Sequence, residues 1–160
     1  MVVPDQLVDR TALRVRAFDG SGAVHARFSD PYFPALLAWD GGVNEGGTLV
    51  IVEGPRFSTR AESRSYAGAG WSLVNLTGYP EAVPARGLGV CCAALGLVTD
   101  LDAGVDAHGA VHHGAVLAPF SQHVGLTTDL LSGVIVDLDH QLDCSWSAGL
   151  RDVTVPLVLA

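Results

Sequence analysis

Lysine is absent from this 160-residue chain; all nine of its basic residues are arginine. That absence excludes a phosphate-loop lysine, a lysine Schiff base and a lysine general base. Charge is scarce and mostly of one sign: 16% of residues are charged and the formal net charge is −8. An acidic chain with no basic run lacks the electrostatic footprint of a nucleic-acid binder or of an anionic membrane partner. Long apolar runs are missing too. The longest, Leu88–Val98, has eleven residues, where a bilayer span needs about twenty. Residues Met1 to Asp5 carry no charged-then-apolar signal pattern. Cysteine is confined to Cys91, Cys92 and Cys144, an odd number with no CxxC pair. This predicts reduced thiols in a cytoplasmic protein rather than a disulfide framework.

Apolar residues, at 49%, are ample for a core, and the length fits one domain spanning residues 1–160. Residues 1–47, rich in Asp, Gly and Pro, read as surface loops with a short helix at Ala35–Trp39. Gly47–Val52 is a β-branched run ending at Gly54-Pro55 and reads as a strand. Thr59 followed by Glu62 is a capping box opening a helix that ends near Gly68 or Gly70. Ser72–Leu76 reads as a second strand, Pro80 opens a second helix, and the apolar run Gly89–Thr99 reads as a third strand. Pro84 and Gly87 predict that the second helix is kinked or short. Alternating strands and helices with apolar strands predict an α/β fold whose parallel sheet is covered on both faces. Leu117, Phe120, Val124, Thr127, Leu131, Val134 and Leu138 step by three and four, one face of a long helix. The remainder, 139–160, reads as a tail with one extended piece at Val153–Leu159.

Ligands of an open parallel sheet bind beyond the carboxyl ends of its strands. Those ends carry Glu53–Ser58, Asn75–Thr77 and Thr99–Asp102, which converge on one crevice if the strands are neighbours. Asp100 and Asp102 admit three readings: a solvated loop start, a divalent-metal pair, or carboxylates at the edge of an apolar pocket whose desolvation favours holding a proton. His108, His112 and His113 form a histidine cluster, with HxxxH spacing between His108 and His112, but Gly109 interrupts it and no third ligand beyond Asp106 stands out, so no metal site is expected. Cys91 and Cys92 read as small core residues. Gly68-Ala69-Gly70 lacks the third glycine of a dinucleotide loop and precedes a strand, so no dinucleotide cofactor is expected.

Gly54–Ser63, Asn75–Glu81 and Thr99–Asp102, in this order and spacing, resemble the trimeric purine nucleoside phosphorylases, most closely the 5′-methylthioadenosine phosphorylase branch. Asp5–Thr11, His25 and Asp30-Pro31 extend the likeness toward the N-terminus. It is strongest from Thr48 to Val105 and fades after Leu138. The resemblance implies a three-layer α/β/α fold with a mixed sheet, and a pentosyltransferase reaction. Phosphate attacks the anomeric carbon of a purine nucleoside through an oxocarbenium-like transition state and the base leaves.

Residue by residue, the resemblance implies that Thr77 binds phosphate and that Phe57 packs on base and sugar. Asp100 and Asp102 face the purine, with Asp100 as the acid for the leaving group. His25 reaches the 5′ pocket of a neighbouring subunit, which implies a homotrimer. Ser58 with Asp100 marks the 6-aminopurine branch, because an exocyclic amino group donates and suits a carboxylate acceptor. Leu76 stands where the family carries a ribose-contacting methionine, and His113 stands where an apolar residue lines the 5′-thio pocket. Val116 joins that pocket. Inorganic phosphate is the implied co-substrate, with no organic cofactor and no metal. The chain is expected to begin well past the family's first half, without its glycine-rich phosphate loop and Arg-His pair, and so to form an incomplete version of the fold. Three readings stay open at this level: a methylthioadenosine phosphorylase or a piece of one, a non-catalytic nucleoside-binding remnant, and a structural subunit completing a partner chain. Preference for 6-oxopurines is the alternative within the first.

Overall fold

A computed structural model describes residues 1–14, 22–24, 26–33, 36, 43–103, 111, 113–138, 146 and 154–156. Its centre is a three-stranded, wholly parallel sheet in the order β2 (Gln6–Asp9), β5 (Thr48–Ile51), β6 (Trp71–Asn75). Two short pairs flank it. The parallel pair joins β1 (Val2–Val3) to β4 (Asn44–Glu45), and the antiparallel pair joins β3 (Gly22–Val24) to β7 (Thr154–Pro156). The helices are α1 (Arg60–Gly68), α2 (Gly78–Gly87) and α3 (His113–Asp137). The fold is therefore α/β, with both parallel and antiparallel pairings. The short helix expected at Ala35–Trp39 lies outside the described residues apart from Leu36.

The third strand of the sheet is a correction. Gly89–Thr99, although continuously apolar, forms no strand; it meets β1 through one bridge, Val2 to Gly96, with bonds of 2.8 and 2.7 Å. Its place beside β5 is taken by β2, from the region expected to be loops. Apolar, β-branched composition suits a strand, but a strand forms only where a neighbour supplies a ladder, and this segment makes a single isolated bridge. Coverage differs as well. Leu49, Val50 and Ile51 of β5 are all buried, so this strand packs on both faces. In β6, Ser72 and Val74 stay exposed between half-buried neighbours, the alternation of a sheet open on one face.

The core gathers Leu49 and Ile51 of β5 with Tyr32, Tyr79 and Ala82. Burial pushes the Tyr32 hydroxyl up to about 12. On α2 the kink lies not at Pro84 or Gly87, where the sequence puts it, but at the opening turn, where Tyr79 and Pro80 are non-helical. Pro84 is tolerated because the carbonyl its ring would strike, four residues back, belongs to Pro80, already out of helical conformation. The long helix α3 covers the expected register, but only part of the expected face is covered. Thr127, Val134 and Leu138 are half-buried near the buried Leu130, whereas Leu117, Phe120, Val124 and Leu131 are exposed.

The capping box of α1 is complete. Thr59 Oγ1 accepts from the Glu62 amide at 3.2 Å, and Glu62 Oε2 accepts from the Thr59 amide at 2.7 Å. Arg56 grips the same carboxylate at 2.8 and 2.7 Å. The Arg56 hydrogen bonds, then the Thr59 amide, pull the Glu62 carboxyl from its ordinary 4.5 down to about 2. A depressed carboxyl contributes stability that is fully present above its unfolded value and is lost as pH falls through its folded one. Thermal unfolding of the wild type should therefore lose stability between about pH 4.5 and 2, and Glu62→Gln should flatten that part of the profile; an unchanged profile would remove Glu62 from this role. In the core, Ile51→Val should lower the unfolding free energy by about 1 kcal/mol in urea, with an unchanged slope, and no measurable loss would contradict the packing assigned to Ile51.

Candidate functional site

All three strands of the sheet are parallel, so their carboxyl ends share one edge. The register aligns Asp9, Ile51 and Asn75 across it. Beyond that edge the chain turns three times, and a side-chain oxygen organises each of two turns at the sheet. Asp9 Oδ1 accepts from the Thr11 amide at 2.7 Å, and Asn75 Oδ1 accepts from the Thr77 amide at 2.6 Å. Asp100 repeats the arrangement after the apolar segment, its Oδ1 accepting from the Asp102 amide at 2.8 Å. Each is a carboxyl or amide closing a turn two residues on.

The segments are tied to one another. The Asp102 carboxylate accepts from Ser63 Oγ of α1 at 2.7 Å, and Ser63 is buried. Asp102 itself sits at φ +56°, a left-handed conformation that Asp tolerates better than most residues. Leu76 packs on the loop after β5, where a Cβ on Gly54 would lie 3.5 Å from its Cδ1. Gly78 is needed for close approach: a Cβ there would come within 3.2 Å of Ile51 Cδ1 and 3.4 Å of Asn75 Oδ1.

A cleft of about 240 Å³ opens beside the end of β6, slightly below the roughly 300–1,000 Å³ of most small-molecule pockets. Asn75, Thr77 and Gly78 line it together with Tyr32, Glu81 and the Cys92–Gly96 segment. Of the residues singled out in the sequence, Thr77 lines this cleft. Phe57 is 42% exposed on the loop before α1, with Ser58 beside it half-buried. Asp100 is half-buried, and its Oδ2 accepts from Thr99 Oγ1 at 2.9 Å. Of the three segments expected to share one crevice, Asn75–Thr77 lines this cleft, whereas no residue of Glu53–Ser58 or Thr99–Asp102, Phe57 and Asp100 included, is among its lining residues. His113 is exposed and Val116 half-buried in the first turn of α3. His25, His108 and His112 lie outside the described residues. Among the described residues no group of three His, Cys, Asp or Glu side chains is placed to hold a metal, and no helix is long and apolar enough to cross a membrane.

The cysteines depart from expectation. Cys91 is disulfide-bonded, so the reduced state expected of it is not what the structure holds. Cys92 is a free thiol packed against the core, and burial pushes its pKa up.

Two residues at this edge went unassigned in the sequence reading. Glu53, just after β5, accepts from the amides of Leu13 at 3.3 Å and Ala12 at 3.2 Å. Those amides, with the nearby Arg14 charge, hold its carboxyl below the ordinary value. Arg14 donates to the carbonyls of Leu76 at 2.7 Å and Tyr79 at 2.5 Å. Glu53 carries one local signal, a carboxylate directly after an apolar strand. Arg14 carries none, since its partners lie more than sixty residues away.

Comparison with known proteins accounts for this architecture. The phosphorylase superfamily pattern matches residues 1–135. S-methyl-5′-thioadenosine phosphorylase of Mycobacterium tuberculosis is 48% identical over 99% of this chain and 61% of its own length. A purine nucleoside phosphorylase of Streptomyces coelicolor is 47% identical over 95% of this chain and 58% of its own. The chain thus spans about three-fifths of the length of the relatives it matches. Among solved structures, methylthioadenosine phosphorylase from Schistosoma mansoni in complex with adenine superposes with a TM-score of 0.83 at 26% identity, covering 96% of this chain and 65% of that one. A methylthioadenosine phosphorylase from an antarctic soil metagenomic library gives 0.78 at 29% identity, covering 96% and 58%. Fold, motif order and sequence agree, and the chain belongs to the phosphorylase superfamily.

Proposed function

We propose that this chain acts in the phosphorolysis of a 6-aminopurine nucleoside, with S-methyl-5′-thioadenosine and inorganic phosphate giving adenine and 5-methylthioribose 1-phosphate. The observation that carries the reading is Asp100. Its two oxygens are oriented by the Asp102 amide and the Thr99 hydroxyl, just after the apolar segment Gly89–Thr99, at a position where the family resemblance puts the purine. Identity of 48% and 45% with two mycobacterial enzymes of that name, over 99% of the chain, supports the substrate.

Chemistry follows from charge. Positive charge develops on the sugar as the glycosidic bond breaks, and negative charge on the base. Asp100 accepts from the exocyclic amino group and shares a proton with the departing ring nitrogen. Thr77 donates its hydroxyl to phosphate on the other face of the sugar, Phe57 packs against the base, and Ser58, Leu76 and Asp102 complete the nucleoside side. His113 and Val116 belong to the 5′ pocket. Phosphate is the co-substrate, and the step requires no organic cofactor or metal.

We assign a homotrimer, because His25 serves the 5′ pocket of a neighbouring subunit in this reading. The exposed Leu117, Phe120 and Val124 of α3 support burial in an assembly. We assign the cytoplasm as the compartment, in keeping with the absence of a membrane-crossing helix among the described residues.

The test is release of adenine from S-methyl-5′-thioadenosine with and without phosphate. Release should depend on phosphate, and Asp100→Asn should lower turnover by about 10²–10⁴-fold, the usual worth of general acid catalysis. Relative turnover of inosine should rise, since its 6-oxo group accepts a hydrogen bond. Unchanged turnover in Asp100→Asn would remove Asp100 as the leaving-group acid, and a wild-type preference for inosine would move the substrate to 6-oxopurines.

A further inference from the structure

We propose that Arg14 is a positioning residue for Thr77, held in place by Glu53; the inference rests on the assignment of Thr77 to phosphate made above. Thr77 sits in the turn joining β6 to α2. On the amide side that turn is fixed by one atom: Asn75 Oδ1 accepts from the amides of Thr77 and Gly78, each at 2.6 Å, and from the Thr77 hydroxyl at 3.3 Å. On the carbonyl side it is fixed by one group. The Arg14 guanidinium donates through one nitrogen to Leu76 O at 2.7 Å and through the other to Tyr79 O at 2.5 Å. These carbonyls bracket Thr77 and Gly78. A rigid, planar fork reaches both only when the turn has this shape.

The Thr77 hydroxyl is the group left to be aimed. It makes no cap bond to α2, although Thr77 occupies the cap position. Its contact with Asn75 is the long one of the three. Thr77 is exposed and lines the cleft. A clamp on the backbone either side of Thr77 therefore sets the direction of a side chain that has no strong bond of its own.

Glu53 gives the clamp its footing. Its Oε1 takes the Ala12 and Leu13 amides, fixing the backbone that leads into Arg14, and its Oε2 lies 3.5 Å from Arg14 Nε. The cluster thus joins the ends of β2, β5 and β6 through one cation and one anion. Both side chains are partly shielded, 24% and 38% exposed. Charge-assisted bonds to two carbonyls are among the stronger contacts a side chain makes.

The experiment follows the backbone amides of Thr77 and Gly78 by NMR in the full chain, free and titrated with inorganic phosphate, for wild type, Arg14→Met and Arg14→Lys. Phosphate should shift the Thr77 amide in the wild type. Arg14→Met should displace the Thr77 and Gly78 amides before any phosphate is added, leave the Leu130 amide of α3 in place, and weaken phosphate binding about ten-fold, the size expected for a lost charged hydrogen bond. Arg14→Lys keeps the charge but not the fork, and should recover part of that affinity. Unmoved amides with unchanged phosphate affinity in Arg14→Met would overturn the proposal. If Arg14→Met does not fold, the same outcome in Arg14→Lys would overturn it. If the wild type binds no phosphate, the phosphate assignment of Thr77 falls, and displacement of the two amides alone then decides whether Arg14 positions the turn.

Discussion

The arrangement depends on β5 lying between two parallel neighbours. Val50 and Ile51 have no exposed surface, and the ladder continues past the strand ends, with the Arg10 amide donating to Ile51 O at 2.8 Å and the Val52 amide to Asn75 O at 3.0 Å. Parallel pairing gives every strand the same direction, so three chain exits emerge on one edge. Antiparallel pairing would have sent one of them to the opposite end. The cleft, Thr77 and the Arg14–Glu53 cluster all belong to that edge.

Short polar side chains convert these exits into turns. Asp9 and Asn75, at the ends of β2 and β6, and Asp100, after the apolar segment, each accept the amide two residues ahead. Polar backbone that would otherwise be left without partners at the sheet edge is satisfied within a few residues. Long-range contacts then lock the turns together. Ser63 reaches Asp102 from α1, and Arg14 reaches Leu76 and Tyr79 from the end of β2. Local bonds shape each loop, and the long ones set the loops relative to one another.

How much was legible in the sequence follows from the range of each interaction. The Thr59–Glu62 capping box spans three residues and was readable outright. The strand β5 carries a β-branched run bounded by Gly and Pro, β6 a short apolar stretch ending at Asn75, and both appear within a residue or so of expectation. In contrast, β2 is four residues between Pro4 and Arg10 with an acidic end, and only pairing with β5 makes it a strand. Gly89–Thr99 errs the other way: composition favours a strand, but composition supplies no ladder partner, and the segment makes one isolated bridge. The stripe on α3 predicted a helix correctly, yet periodicity does not say which face meets the body, and Leu130 lies off the stripe. Motif singles out Thr77 and Asp100 as candidates; Arg14 carries no such signal, because the carbonyls it binds lie more than sixty residues away.

The central claim is that the loops after β5 and β6 and the Thr99–Asp102 turn form one purine site. Titration of the isotopically labelled full chain with adenine tests it most directly. The account predicts saturable shifts at the amides of Phe57, Thr77 and Asp100 with one shared dissociation constant. Shifts confined to the cleft around Tyr32 and Cys92, or separate affinities at Phe57 and Asp100, would contradict it.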